Sequence, residues 1–160
     1  MKQIYTAALA ALLALPAAAH DYTVAKIVVT HPVAFETPKT ARVGGGYMTL
    51  TNNGKTADRL TGINADGFDE VSLHESSTDD MGVARMQPLD GIDLPAGAAV
   101  ALEPGGMHVM FIGLNDGPFA EGDEISATLT FEKAGPLDVT FNVENRRAAH
   151  DGKMDHSEQH

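Results

Sequence analysis

The chain of 160 residues contains no cysteine. Disulfides are therefore excluded, and the stability of an exported form has to come from packing. Thiolate chemistry is excluded with them: there can be no blue-copper ligand set with its Cys, no thiol–disulfide exchange and no Cys-based zinc site. Basic residues are scarce as well. Eleven Lys and Arg stand against 22 Asp and Glu, a formal charge of −11. That balance argues against nucleic-acid binding, which runs on phosphate neutralisation. An acidic surface suits cationic partners without naming one. Helical periodicity is scarce, and no repeat at a fixed period is evident. No paired carboxylates, nucleophile elbow or open carboxylate–His metal site stands out, so an enzyme is not expected.

What the chain does have begins with an N-terminal leader. Lys2 supplies a small positive region, "IYTAALAALLALP" an apolar core and Ala17–Ala19 a small-residue cleavage site, the pattern of a secretory signal peptide over residues 1–19. The apolar run is short for a membrane span of about 20 residues, and "HDYTVAK" after it is polar, so no stable membrane insertion is expected. Cleavage after Ala19 would leave His20 as the first residue of an exported protein. The cysteine that a bacterial lipoprotein acylates is missing.

The remaining length suits one domain, residues 20–145. Short alternating runs dominate it. "YTVAKIVV" (22–29) reads as the first strand. "GYMTLTN" (46–52) reads as a strand that follows a Gly44-Gly45-Gly46 turn and ends at Asn52-Asn53-Gly54. Ile125, Ala127, Leu129 and Phe131 share one face, as do Leu137, Val139, Phe141 and Val143, with "KAGP" as a hairpin between the two runs. Several short strands with regular turn signals predict an all-β antiparallel sandwich or barrel. From Arg146 the pattern stops, and residues 146–160, without a β-branched or aromatic side chain, read as a disordered tail that carries His150, Met154, His156 and His160.

Seven Met and seven His stand against the missing thiols. In "GGMHVM" (105–110), His108 and Met110 are two apart, so on a strand they point the same way. In "VSLHES", Val71 and Leu73 share one face and Ser72 and His74 the other. In "GVARMQP", Met86 sits beside a Pro-terminated strand end. Each alone is compatible with a solvated histidine or a gap-filling methionine. Together they make a narrow set. A thioether is neutral and soft, suiting Cu(I), and imidazole suits copper in either state. A neutral His2Met2 set favours a monovalent ion and survives in an oxidising compartment where a thiolate would be lost.

The spacing is specific. His74, eleven residues, Met86, twenty-one residues, then His108-Val109-Met110 resembles the H(M)x10Mx21HxM signature of the periplasmic PCu(A)C copper chaperones. "HPVAF", "GGGYMTLTN", "LTG", "GVARMQPLDGIDLPAG" and "LEPGGMHVMFIGL" look like that family too, over roughly residues 22–143. The resemblance implies a cupredoxin-like β-sandwich that binds Cu(I) through His74, Met86, His108 and Met110. It also implies delivery to the Cu-A centre of cytochrome c oxidase, in subunit II, alongside a Sco-type thiol protein. Two departures stand out: Glu75 and Ser76 follow His74 where relatives can carry an extra Met, and Val33 replaces a Trp common in "HPVAF". Protonation of His74 and His108 competes with the metal, so affinity is expected to fall in acid. His20, with its free amine, and His150, Met154, His156 and His160 of the tail form candidates for a secondary Cu(II) site. They support an alternative reading, a periplasmic copper reservoir or detoxifier. His31, before Pro32, reads as structural.

Overall fold

The computed structural model describes residues 21–146. Its eleven strands are β1 (Asp21–Val24), β2 (Ile27–Phe35), β3 (Val43–Asn52), β4 (Asp58–Asn64), β5 (Glu70–Thr78), β6 (Ala84–Leu89), β7 (Ile92–Leu94), β8 (Ala99–Leu102), β9 (Met107–Ile112), β10 (Glu124–Phe131) and β11 (Gly135–Glu144). They pair in the order β6-β5-β9-β3-β2-β11-β10-β4-β7, with β1 added to β2 and β8 to β3. β11 runs parallel to β2, and the other pairs among the described residues are antiparallel. The path curls on itself into the all-β sandwich or barrel that the alternation predicts.

The core follows from that alternation. Ile125, Ala127, Leu129 and Phe131 of β10 are buried, and so are Val139, Phe141 and Val143 of β11, while Leu137 is half-buried. The two strands meet as a hairpin with Phe131 opposite Gly135. Phe111, at the centre, packs edge-on against Phe119 and Phe141 at centroid distances of 5.7 and 5.6 Å. Burying each such ring contributes about 1.5–3 kcal/mol.

Two sequence expectations need correction. "YTVAKIVV" is two strands, because Ala25 takes a left-handed φ of 50° and the chain reverses there between β1 and β2. Gly44-Gly45-Gly46 is strand, not turn: it pairs with Phe111, Met110 and Val109 of β9. These glycines are required by packing. A Cβ on Gly44 would enter the Phe119 ring, and one on Gly46 would lie 2.9 Å from Phe111 and 3.1 Å from Phe141. His31 has a structural place, at a β2 bulge with φ of 52°, its imidazole 3.6 Å from the Glu144 carboxylate.

Candidate metal centre

β5 lies between β6 and β9, and its register decides what meets. His74 is directly opposite His108, Ser72 opposite Met110 and Ser76 opposite Met86. Side chains at i and i+2 and across a ladder share one face. Met86, His74, His108 and Met110 therefore all stand on the same face of three adjacent strands. The opposite face carries Leu73, Val109 and Phe111, all in the core. The apolar side chains of β9 thus anchor the strand whose alternate positions hold two of the candidate donors.

The turn before β9 fixes His108. The Gly106 N–H donates to the Glu103 carbonyl at 3.0 Å, with Pro104 second and Gly105 third at φ of 86°. Pro followed by a residue with positive φ is the signature of a type II turn. The Gly106 carbonyl then accepts from the Ser76 N–H at 3.0 Å and from His108 Nδ1 at 3.1 Å. A carbonyl can only accept, so His108 Nδ1 carries the proton and Nε2 keeps its lone pair for another partner. Ser72 Oγ lies 3.5 Å from His74 Nδ1, beside the same cluster.

Exposure divides the candidate donors. His108 is only 7% exposed, His74 and Met110 are half-buried, and Met86 is 54% exposed. A groove of about 660 Å³ runs over the face, lined by Met86, His108 and Met110 and by Phe35, Tyr47 and Arg146. His74 lies beside this lining, its ring stacked on that of His108 at 6.0 Å. Tyr47 sits 6.5 Å from His108 and 5.4 Å from Phe35, and the Arg146 guanidinium lies 5.4 Å over the Phe35 ring. Burial raises the Tyr47 phenol above its ordinary pKa, against a smaller opposing pull from Arg146. Gly45, opposite Met110, also lines the groove, and a Cβ there would lie 2.7 Å from the Tyr47 hydroxyl oxygen.

Among the described residues no three His, Asp, Glu or Cys side chains converge on a point. A metal at this groove would thus depend on the thioethers, and a two-imidazole, two-thioether set suits Cu(I). Sequence reasoning missed Tyr47, Phe35 and Arg146. The available signal was the alternation in "GYMTLTN", which puts Tyr47 on the face of Thr49 and Thr51, opposite Met48 and Leu50. His20, His150, Met154, His156 and His160 lie outside the described residues.

The profile of the family described as "Putative lipoprotein LpqE-like" matches residues 27–143. The chain belongs to this family. The curated relative "Putative lipoprotein Lxx21020" of Leifsonia xyli is 29% identical over 115 residues, 69% of each chain. The copper-bound PCuAC domain from PmoF2 superposes with a TM-score of 0.67 at 29% identity, covering 79% of this chain and 98% of that one. The Cu(I) form of DR1885 from Deinococcus radiodurans gives a TM-score of 0.58 at 25% identity, over 84% and 83% of the two chains. The resemblance to the PCu(A)C chaperones thus extends from the motif to the whole LpqE-like domain, which has the cupredoxin-like fold of the PCuAC domains.

Proposed function

We propose that this LpqE-like protein is an exported, non-enzymatic Cu(I) chaperone of the periplasm. Its ligands are His74, Met86, His108 and Met110, and it delivers copper to the Cu-A centre of cytochrome c oxidase. The observation that carries the reading is the register of β6, β5 and β9, which gathers the four motif residues on one face. The copper-bound PmoF2 domain and the Cu(I) form of DR1885 support it. The leader over residues 1–19 supports export.

The exposure gradient suits a carrier. His108 and Met110 form the protected side of the cluster and Met86 the open side. Copper is the cargo, held by neutral donors and released by exchange at Met86, where an incoming ligand has access. Neutral thioethers leave more readily than thiolates, so binding and release are compatible in one shallow site.

The test is an anaerobic Cu(I) competition titration of residues 20–160 and of a form ending at residue 145. One tight equivalent that survives the truncation and is lost in His108→Ala supports the reading. Copper binding abolished by truncation but intact in His108→Ala would transfer the function to the tail.

A further inference from the structure

Four large apolar side chains stand exposed among the described residues: Val43, Met81, Val83 and Met86. Single exposed apolar residues are ordinary, but three of these four, Met81, Val83 and Met86, belong to one hairpin, and such grouping marks an interaction site. Val43 and Met86 line the groove. Met81 and Val83 lie in the turn between β5 and β6, on the hairpin that carries Met86.

That hairpin is built to hold them outward. The Asp79 carboxylate accepts the N–H groups of Met81 and Val83 at 3.0 and 2.9 Å and pairs with Arg85 at 3.3 Å. Gly82 supplies the positive φ of 79° that the turn needs. Met81 is left 84% exposed at the tip. β6 is the outermost strand, paired with β5 alone, and its residues 84–88 are exposed on both faces. Its outer edge is also bare. The Ser76 N–H points to Gly106, away from β6. In an antiparallel ladder the directly opposite residue, Met86, then turns its own N–H and C=O away from β5. The Arg85 charge is taken by Asp79, whereas Asp80 and Asp90 stand exposed at the two ends of β6, giving the arm an acidic rim.

We propose that the β5–β6 arm is the docking surface for the copper-accepting protein, a partner whose contact face has an apolar centre for Met81 and Val83 and basic groups opposite Asp80 and Asp90. This rests on the copper-transfer reading above. The occupant follows from the position of Met86: it belongs to the arm and is the most exposed of the four donors, so a partner seated there meets the metal at Met86. The exchange breaks the bond from copper to the Met86 thioether as a donor of the acceptor bonds, and copper remains Cu(I) throughout.

The experiment loads the mature chain with Cu(I) and mixes it anaerobically with either of two acceptors. One is the metal-free soluble copper domain of cytochrome c oxidase subunit II, the other a small Cu(I) chelator. Met81→Asp with Val83→Asp, and separately Asp80→Lys, are expected to slow transfer to the protein acceptor about tenfold or more, as loss of an interface anchor does. Cu(I) affinity and transfer to the chelator should not change. Met81→Leu, which keeps the apolar surface, should transfer as wild type, and wild-type transfer should slow with added salt. Wild-type transfer rates in the Met81→Asp, Val83→Asp protein overturn the proposal. A wild-type chain that binds Cu(I) but fails to load the domain overturns it too, leaving the metal site standing. A chain that binds no Cu(I) overturns both.

Discussion

His74 and His108 face each other across the β5–β9 ladder, their rings stacked at 25° with centroids 6.0 Å apart. Directly opposite residues of an antiparallel pair hold their Cβ atoms about 4.5–5.5 Å apart, so the imidazoles need no backbone movement to share one ion. His74→Ala and His108→Ala are each expected to lower Cu(I) affinity by about 100-fold or more, since losing even an outer partner of a ligand costs about 10–100-fold. Competition with a chelator under anaerobic conditions measures this. A loss in only one of the two variants would mean that the facing pair does not act as a unit.

The bond from His108 Nδ1 to the Gly106 carbonyl fixes a tautomer. Long-range proton–nitrogen spectra of the metal-free protein should show His108 protonated at Nδ1. Addition of Cu(I) should then shift the Nε2 signal and leave the Nδ1 proton in place. An Nε2–H tautomer in the metal-free protein would remove the argument that this ring is set in advance for a metal.

Met86 separates binding from folding. With its side chain 54% exposed on a strand paired only with β5, Met86→Leu should change stability by no more than about 0.5 kcal/mol, as surface substitutions do. Its Cu(I) affinity should nevertheless fall, because leucine keeps the volume and loses the sulfur. Thermal melts and copper titration on one preparation check both halves. An unchanged affinity would remove Met86 from the ligand set.

The candidate site is legible in the sequence because strand geometry converts spacing into direction. The i, i+2 relation gives His108 and Met110 one common direction, and the apolar pair Val71 and Leu73 puts His74 on the other face of its strand, as the structure has them. The joining of the two halves came from the motif resemblance, since the pairing of β5 with both β6 and β9 is a long-range fact with no local signal. The Gly44-Gly45-Gly46 reading failed for the same reason. Local glycine chemistry favours turns, and only the rings of Phe111, Phe119 and Phe141, which arrive from distant strands, make these glycines part of the sheet. The break at Ala25 was missed because a left-handed alanine leaves no mark in composition.

Gly46 tests that packing. Phe111 and Phe141 are fully buried and have no room to retreat from a Cβ at 2.9 and 3.1 Å. Gly46→Ala is expected to destabilise the fold by about 1–3 kcal/mol, the usual cost of overpacking a core. Denaturant unfolding measures it. A neutral result would show that the aromatic cluster beneath the site is loosely packed.

Asp58 gives the fold an acid-sensitive clasp on strands that carry none of the four motif residues. Its carboxylate accepts the N–H groups of Lys133 and Ala134, both at 2.9 Å, and of Arg59 at 2.7 Å, tying the start of β4 to the β10–β11 turn. Burial pushes its pKa up, but the three N–H donors and the nearby Lys133 charge outweigh that and leave it below the usual carboxylate value. A carboxyl lowered on folding contributes stability above its unfolded pKa of about 3.9 and loses it as pH falls through the folded value. Asp58→Ala should therefore cost about 1.5–3 kcal/mol at neutral pH, the range for hydrogen bonds to a charged group. The difference from wild type should shrink below about pH 4 as the wild-type carboxyl also protonates. Urea unfolding of both proteins at neutral and acid pH measures this. A gap of the same size at both pH values would mean that the bonds do not depend on the ionised carboxylate. Copper binding at neutral pH should be the same in both proteins, because the clasp holds the β4–β10–β11 side of the sheet and none of the strands that carry a donor.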